Sequence, residues 1–130
     1  VYKRQNLFDV CSYATTAALN SCKLPKYEMQ DDLPVKIENE TTDPPITTLP
    51  VSVTMARIGD YILVDPNMDE WSCLDARITI TTNSDGNVVA LQKGGHEGFT
   101  SDQLIKCAEI SVQVGSKIRE IIKEATKGSN

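Results

Sequence analysis

A chain of 130 residues, 40% apolar and 24% charged, is one domain's worth, long enough to bury a sizeable core and too apolar for wholesale disorder. Its formal net charge of −5 argues against non-specific nucleic-acid binding by this chain alone, since that affinity rests on an excess of Lys and Arg. No apolar run approaches the ~18 residues of a membrane span, and no signal-peptide pattern opens the chain.

Residues 1–5 (VYKRQ) read as foreign. They match the translation of a common sequencing-library transposon end and run into a helical pattern without a start Met. Without Lys3 and Arg4, 11 basic residues face 18 acidic ones and the net charge moves from −5 to −7. The chain is then expected to begin mid-gene at Asn6, as half of a longer protein. Asn6 to Lys23 predicts a helix whose apolar positions Leu7, Val10, Cys11, Ala14, Ala17, Ala18 and Cys22 share one inward face. Asp9 is expected to be a solvated first-turn acid favourable to the helix dipole. Pro25 to Met29 and Val35 to Glu38 are short strand candidates with a turn at Asp31-Asp32, and the proline-rich Glu40 to Pro50 is a loop.

Val51 to Ala56 alternates as a half-buried strand and returns through Gly59-Asp60 into the apolar strand Tyr61 to Val64. Met68 to Leu74 follows as a short helical elbow. Arg77 to Thr82 and Val88 to Gln92 form a hairpin about Asp85-Gly86, a pair that accommodates positive φ. Gly94 to Gly98 reads as a flexible exit loop with His96 exposed; its glycine spacing fits neither a P-loop nor a dinucleotide fingerprint, so no cofactor is expected. Thr100-x-x-Gln103 is a capping box opening a helix to about Lys127. Leu104, Ala108, Val112, Gly115, Ile118, Ile122 and Ala125 form its apolar stripe. Gly115 costs roughly 1 kcal/mol against Ala in mid-helix, which suggests close approach to a neighbour. The predicted class is α+β: a mixed or antiparallel sheet with packed helices and a long C-terminal helix.

Cys11, Cys22, Cys73 and Cys107 are scattered, with no Cys-x-x-Cys pair and a single His. Free thiols in a reducing cytosol are expected, and no metal site. The chemistry-bearing stretch is the elbow, Asp65, Asp69, Glu70, Trp71, Asp75 and Arg77. Its four acids read as turn, cap and solvation groups, and Arg77 as the partner of one of them, with a contact to phosphate as the alternative.

NLFDVCSYATTAAL (6–19), LPVSVTMARIG (49–59), LVDPNMDEWSCLDARITIT (63–81) and LQKGGHEGFT (91–100) occur in this order. Together they resemble the RNase PH family, and within it the non-catalytic RNase PH-type subunits of the archaeal exosome. The resemblance implies that residues 6–130 are an RNase PH-like domain, the C-terminal half of a chain about twice this long. Active members degrade RNA from the 3′ end with inorganic phosphate, releasing nucleoside diphosphates. Their elbow carries an acid just after the glutamate position and an Asp six residues further on. Asp65 and Glu70 match the flanking acids, but Trp71 stands at the first key position and Arg77 at the second. Neither side chain can act as general acid or hold Mg²⁺. At ~4 Å and an effective dielectric of 20, a pair of unit charges is worth about 4 kcal/mol, so exchanging an anion for Arg at a metal site is prohibitive. Asp75 lies two residues short, ~6–7 Å along a strand. No catalytic, cofactor-binding or metal-binding residue is therefore expected.

The resemblance further implies a cytoplasmic, non-catalytic subunit of a hexameric ring. It would alternate with a catalytic RNase PH-type partner, help to form that partner's active site and RNA channel, and touch RNA through the assembled complex. Most RNA-contacting basic residues would then lie in the N-terminal half. The competing expectation is an active phosphate-dependent 3′–5′ exoribonuclease with a rearranged acid. A third is a small-molecule-binding domain using Gly94 to Gly98.

Overall fold

The computed structural model describes residues 6–127; the foreign leader read at residues 1–5 falls outside them. In chain order the elements are α1 (Leu7–Ser21), β1 (Leu24–Gln30), β2 (Leu33–Thr42), β3 (Val51–Ile58), β4 (Tyr61–Val64), α2 (Met68–Ser72), β5 (Ala76–Thr82), β6 (Val88–Gly95) and α3 (Ser101–Thr126). The α+β class is as expected, and every strand pairing is antiparallel. β1 and β2 form a separate hairpin, exposed along almost its whole length, that turns at Asp31-Asp32 with both residues at positive φ. This hairpin is longer than the two short strands expected, and β2 takes Glu40–Thr42 from the predicted loop. β6 likewise takes Gly94 and Gly95 from the predicted exit loop.

The main sheet has the order β4-β3-β5-β6. Alternation along β3 and β5 sends Val53, Met55, Ile78 and Ile80 to one face, where they pack on Cys107 of α3 with Ile62, Phe99 and Val114 around them. The opposite face carries hydroxyls instead. Ser52 meets Thr81 at 2.9 Å, and Thr54 meets Thr79 at 2.8 Å.

α3 starts on its capping box, with Thr100 accepting from Gln103 N–H and the Gln103 side chain accepting from Thr100 N–H. Its buried line is Cys107, Ser111, Gly115, Arg119, Ile122 and Thr126, rotated from the predicted stripe so that Leu104 and Ala125 are exposed. Gly115 does permit a close approach: a Cβ there would lie 2.7 Å from Thr82 Oγ1. Through that gap Arg119 Nη1 donates to the Thr82 carbonyl at 3.0 Å and to its hydroxyl at 3.2 Å. A polar line is thus buried because β5 offers acceptors to it.

α1 departs furthest from expectation. Leu7 is 67% exposed, Phe8, Val10 and Leu19 are exposed with it, and the buried residues are Asp9 and Thr16. The cause is the free edge of β3. β4 pairs with β3 only from Met55 onward, which leaves the backbone of Val51–Thr54 without a strand on that side. α1 covers this edge with its polar side. Asp9 accepts from Thr54 N–H at 2.7 Å and Thr54 Oγ1 at 2.8 Å, Tyr13 donates to the Ser52 carbonyl at 2.9 Å, and Thr16 donates to the Pro50 carbonyl at 2.9 Å. Buried backbone groups must be paired, so polar side chains turn inward and the apolar ones are left outside. Asp9 is therefore a buried edge clamp, not a solvated first-turn acid.

Candidate functional site

The elbow between β4 and β5 is held by its own acids. Asp65, at φ 53°, donates its N–H to the Thr54 carbonyl and accepts from Asn6 Nδ2 at 3.1 Å. Asn67 caps α2, accepting from Asp69 N–H at 2.9 Å and Glu70 N–H at 3.0 Å, while Glu70 reaches back to Asn67 N–H at 2.7 Å. Asp69 stays on the exposed surface of the first turn, where its charge suits the helix dipole. Asp75 accepts from Gly59 N–H at 2.7 Å and faces Arg57 Nη1 at 3.5 Å; Arg57 also pairs with Glu97 and donates to the Gly98 carbonyl. Three of the four acids thus have turn, cap or ion-pair work, and the fourth is solvated.

Arg77 is not the partner of any of them among the described residues. Its guanidinium lies over the Trp71 ring, 5.1 Å from the centroid, a cation–π arrangement. Gly94 sits directly opposite in register on β6, and a Cβ there would collide with Arg77 Nε and lie 3.1 Å from its Cγ. A side chain at position 94 would displace the arginine from the indole. Trp71, Ser72, Leu74, Arg77, Gly95 and His96 line a mostly polar cleft of about 420 Å³ beside the stack. His96 is exposed at its rim.

Two groups are shifted around the α1 edge. Burial raises the Asp9 carboxyl above its usual range, against the lowering effect of hydrogen bonds from Thr54 and Asn6. Burial also raises the Tyr13 phenol, with the nearby Asp9 and Asp65 charges adding to it.

The elbow does not fit a divalent cation. Trp71 offers no lone pair, and Arg77 adds a positive charge. Among the described residues no three His, Cys, Asp or Glu side chains gather closely enough to hold a metal ion. Sequence reasoning located the Trp71–Arg77 pair but missed that its members touch. Their six-residue spacing carries no periodic signal, because it spans a helix, a turn and a strand.

An antiparallel four-stranded sheet backed by a long C-terminal helix, with its elbow between β4 and β5, defines an RNase PH-like domain. Residues 48–114 match the family described as "3′ exoribonuclease family, domain 2", and the chain belongs to this family. It is 36% identical over 121 residues to the exosome complex component Rrp42 of Thermococcus gammatolerans, covering 92% of this chain and 44% of the relative. The Pyrococcus horikoshii Rrp42 is 35% identical over 125 residues, 95% of this chain and 46% of that one. The chain thus spans about half the length of the curated relatives it matches. Among solved structures, an archaeal exosome core superposes with a TM-score of 0.77 at 34% identity, covering 95% of this chain and 47% of that one. A structure described as the Archaeoglobus fulgidus exosome with RNA bound to the active site gives 0.75 at 37% identity, covering 92% and 44%. No described helix is long and apolar enough to cross a membrane.

Proposed function

We propose that this chain serves as an RNase PH-type subunit of an exosome ring and carries out no phosphorolysis of its own. The observation that carries the reading is the Trp71–Arg77 stack at the two positions where the family resemblance calls for acids. Neither group can donate a proton to a leaving oxygen at neutral pH or coordinate a metal ion. The names of the relatives, exosome components at about 35% identity, support the ring assignment. In this role the chain alternates with a catalytic RNase PH-type partner in the cytoplasm and helps to shape that partner's active site and RNA channel.

The alternative is an active phosphorolytic subunit with its acid moved to Asp75. It is weakened by Asp75 being turned toward Gly59 and Arg57, away from the cleft. Gel filtration with light scattering of the full-length chain mixed with a catalytic RNase PH-type subunit tests the ring reading. A single larger species containing both chains is expected, and two separately eluting proteins would contradict it.

A further inference from the structure

We propose that the β1–β2 hairpin is an intersubunit arm, which inserts into an apolar, basic-rimmed groove of the neighbouring catalytic RNase PH-type subunit. The inference rests on the ring reading and deepens it, by naming a surface through which this chain holds its partner.

The hairpin, Leu24–Thr42, is a two-stranded sheet of its own. Its strands pack on each other, and no extensive contact joins them to the helices or the main sheet. Two strands alone are marginally stable in water and need a further strand or layer against them. None of the described elements supplies one, yet Leu24, Tyr27, Met29, Leu33 and Val35 lie exposed on the hairpin. The register divides them between its two faces. Tyr27 stands opposite Lys36 and Met29 opposite Pro34 on one face, while Leu33 stands opposite Gln30 and Val35 opposite Glu28 on the other. A hairpin lying on a flat surface buries one face only. Apolar side chains on both faces suit insertion between two walls. Each strand also contains a proline, Pro25 or Pro34, which blunts the sheet edges against further strand pairing. The contact is thus carried by side chains.

The charge of the arm selects its occupant. At the base, Lys23 pairs with Asp43 and Lys26 with Glu40, so these lysines are neutralised. Beyond them, residues 27–39 carry four acids, Glu28, Asp31, Asp32 and Glu38, against Lys36 alone. None of the four acids forms an ion pair among the described residues. Such a rim repels RNA phosphates, and it repels a second copy of this chain, whose net charge is −5. It complements Lys and Arg set around an apolar groove, and Tyr and Met are anchor types that interface cores favour. In the proposed ring, the chain that meets this one is the catalytic subunit.

The test uses the full-length chain. Residues 25–41 are replaced by a short Gly-Ser turn; Leu24 and Thr42 are register partners, so the backbone closes there without displacing α1 or β3. Two point variants accompany it, Met29→Ser with Leu33→Ser and Glu28→Lys with Glu38→Lys. Affinity for the catalytic subunit is measured by surface plasmon resonance, and the melting temperature of each chain alone by circular dichroism. Expected is a loss of about 100-fold or more on excision and about 10-fold for the Met29–Leu33 pair. The Glu28–Glu38 pair should associate about 10-fold more slowly, with a flatter salt dependence. The melting temperature of the chain alone should stay unchanged throughout.

Assembly of all three variants at wild-type affinity would overturn the arm and leave the ring reading standing. A lower melting temperature on excision would show the hairpin packing on its own chain, and would also overturn the proposal. Failure of the wild type to bind the catalytic subunit would overturn the ring reading and the arm with it. A photo-crosslinking side chain in place of Met29, activated in the mixture with RNA present, identifies the occupant directly. Adducts to the catalytic subunit are expected, and adducts only to RNA or to a second copy of this chain would contradict the assignment.

Discussion

Replacing Asp9 by alanine tests why α1 turns its polar side inward. The carboxylate is 3% exposed and accepts from Thr54 N–H at 2.7 Å, Thr54 Oγ1 at 2.8 Å and Asn6 Nδ2 at 2.6 Å. In Asp9→Ala the Thr54 hydroxyl still has Thr79 Oγ1 at 2.8 Å. The Thr54 N–H has no substitute, because β4 pairing starts at Met55. Stranding a buried donor costs about 1–3 kcal/mol. Removing a charge that burial already disfavours returns part of that, which leaves a net loss of roughly 2 kcal/mol.

Asp9→Asn should cost less than ~1 kcal/mol, since its Oδ1 can accept from Thr54 N–H while its Nδ2 donates to the Thr54 hydroxyl. The pH dependence has a definite sign. Burial raises the folded carboxyl above 3.8, so the folded state binds this proton more tightly than the unfolded chain does. The stability it contributes is full below the unfolded value and is lost as pH rises through the folded one. Wild type should therefore lose ground to Asp9→Asn as pH climbs from 3.8 through the raised folded value. Urea denaturation of the full-length proteins, followed by circular dichroism at several pH values, measures both effects. Equal costs for Asp9→Ala and Asp9→Asn, or an Asp9→Ala loss under ~0.5 kcal/mol, would refute the edge-clamp explanation.

Gly115→Ala should destabilise by ~1–3 kcal/mol despite the better helix propensity of Ala, because the new Cβ would lie 2.7 Å from Thr82 Oγ1 and 3.3 Å from Arg119 Nη1; a neutral or raised melting temperature would contradict that packing. Gly95→Ala should cost more than ~2 kcal/mol, since Gly95 has φ +86° and its Cβ would meet the backbone at Ala76 Cα, 2.8 Å, and at the Asp75 carbonyl, 2.9 Å. Thermal melts would show it, and an unchanged transition would count against the strand register at β5 and β6. Cys107 is buried in the core, with its thiol raised chiefly by burial. It should resist Ellman's reagent until denaturant is added, while Cys73 reacts in the native protein; fast native labelling of Cys107 would place α3 wrongly.

Local signals carried much of the fold. Alternation at Val51–Ala56 and Ile78/Ile80, the Asp85-Gly86 turn and the Thr100–Gln103 capping box all lie within a few residues of the structure they dictate. What escaped depended on partners distant in sequence. The inward side of α1 is set by the unpaired edge of a strand more than 40 residues away, as the Asp9–Thr54 bonds show. The buried line of α3 includes Arg119 because Thr82 presents two oxygens to it. Hydrophobic periodicity assigns polar residues to solvent, and it fails where they satisfy buried backbone. At the elbow, the residue types at 71 and 77 were informative in sequence. Their stacking was not, because it needs Gly94 from the neighbouring strand to make room.

The most direct test of the central claim is phosphate-dependent release of nucleoside diphosphates from an unstructured RNA. It is measured for the full-length chain alone and after mixing with a catalytic RNase PH-type subunit. A non-catalytic ring subunit predicts no release by the chain alone and faster release by the mixture than by the catalytic subunit by itself. Release by the chain alone, surviving purification away from host nucleases, would contradict the account.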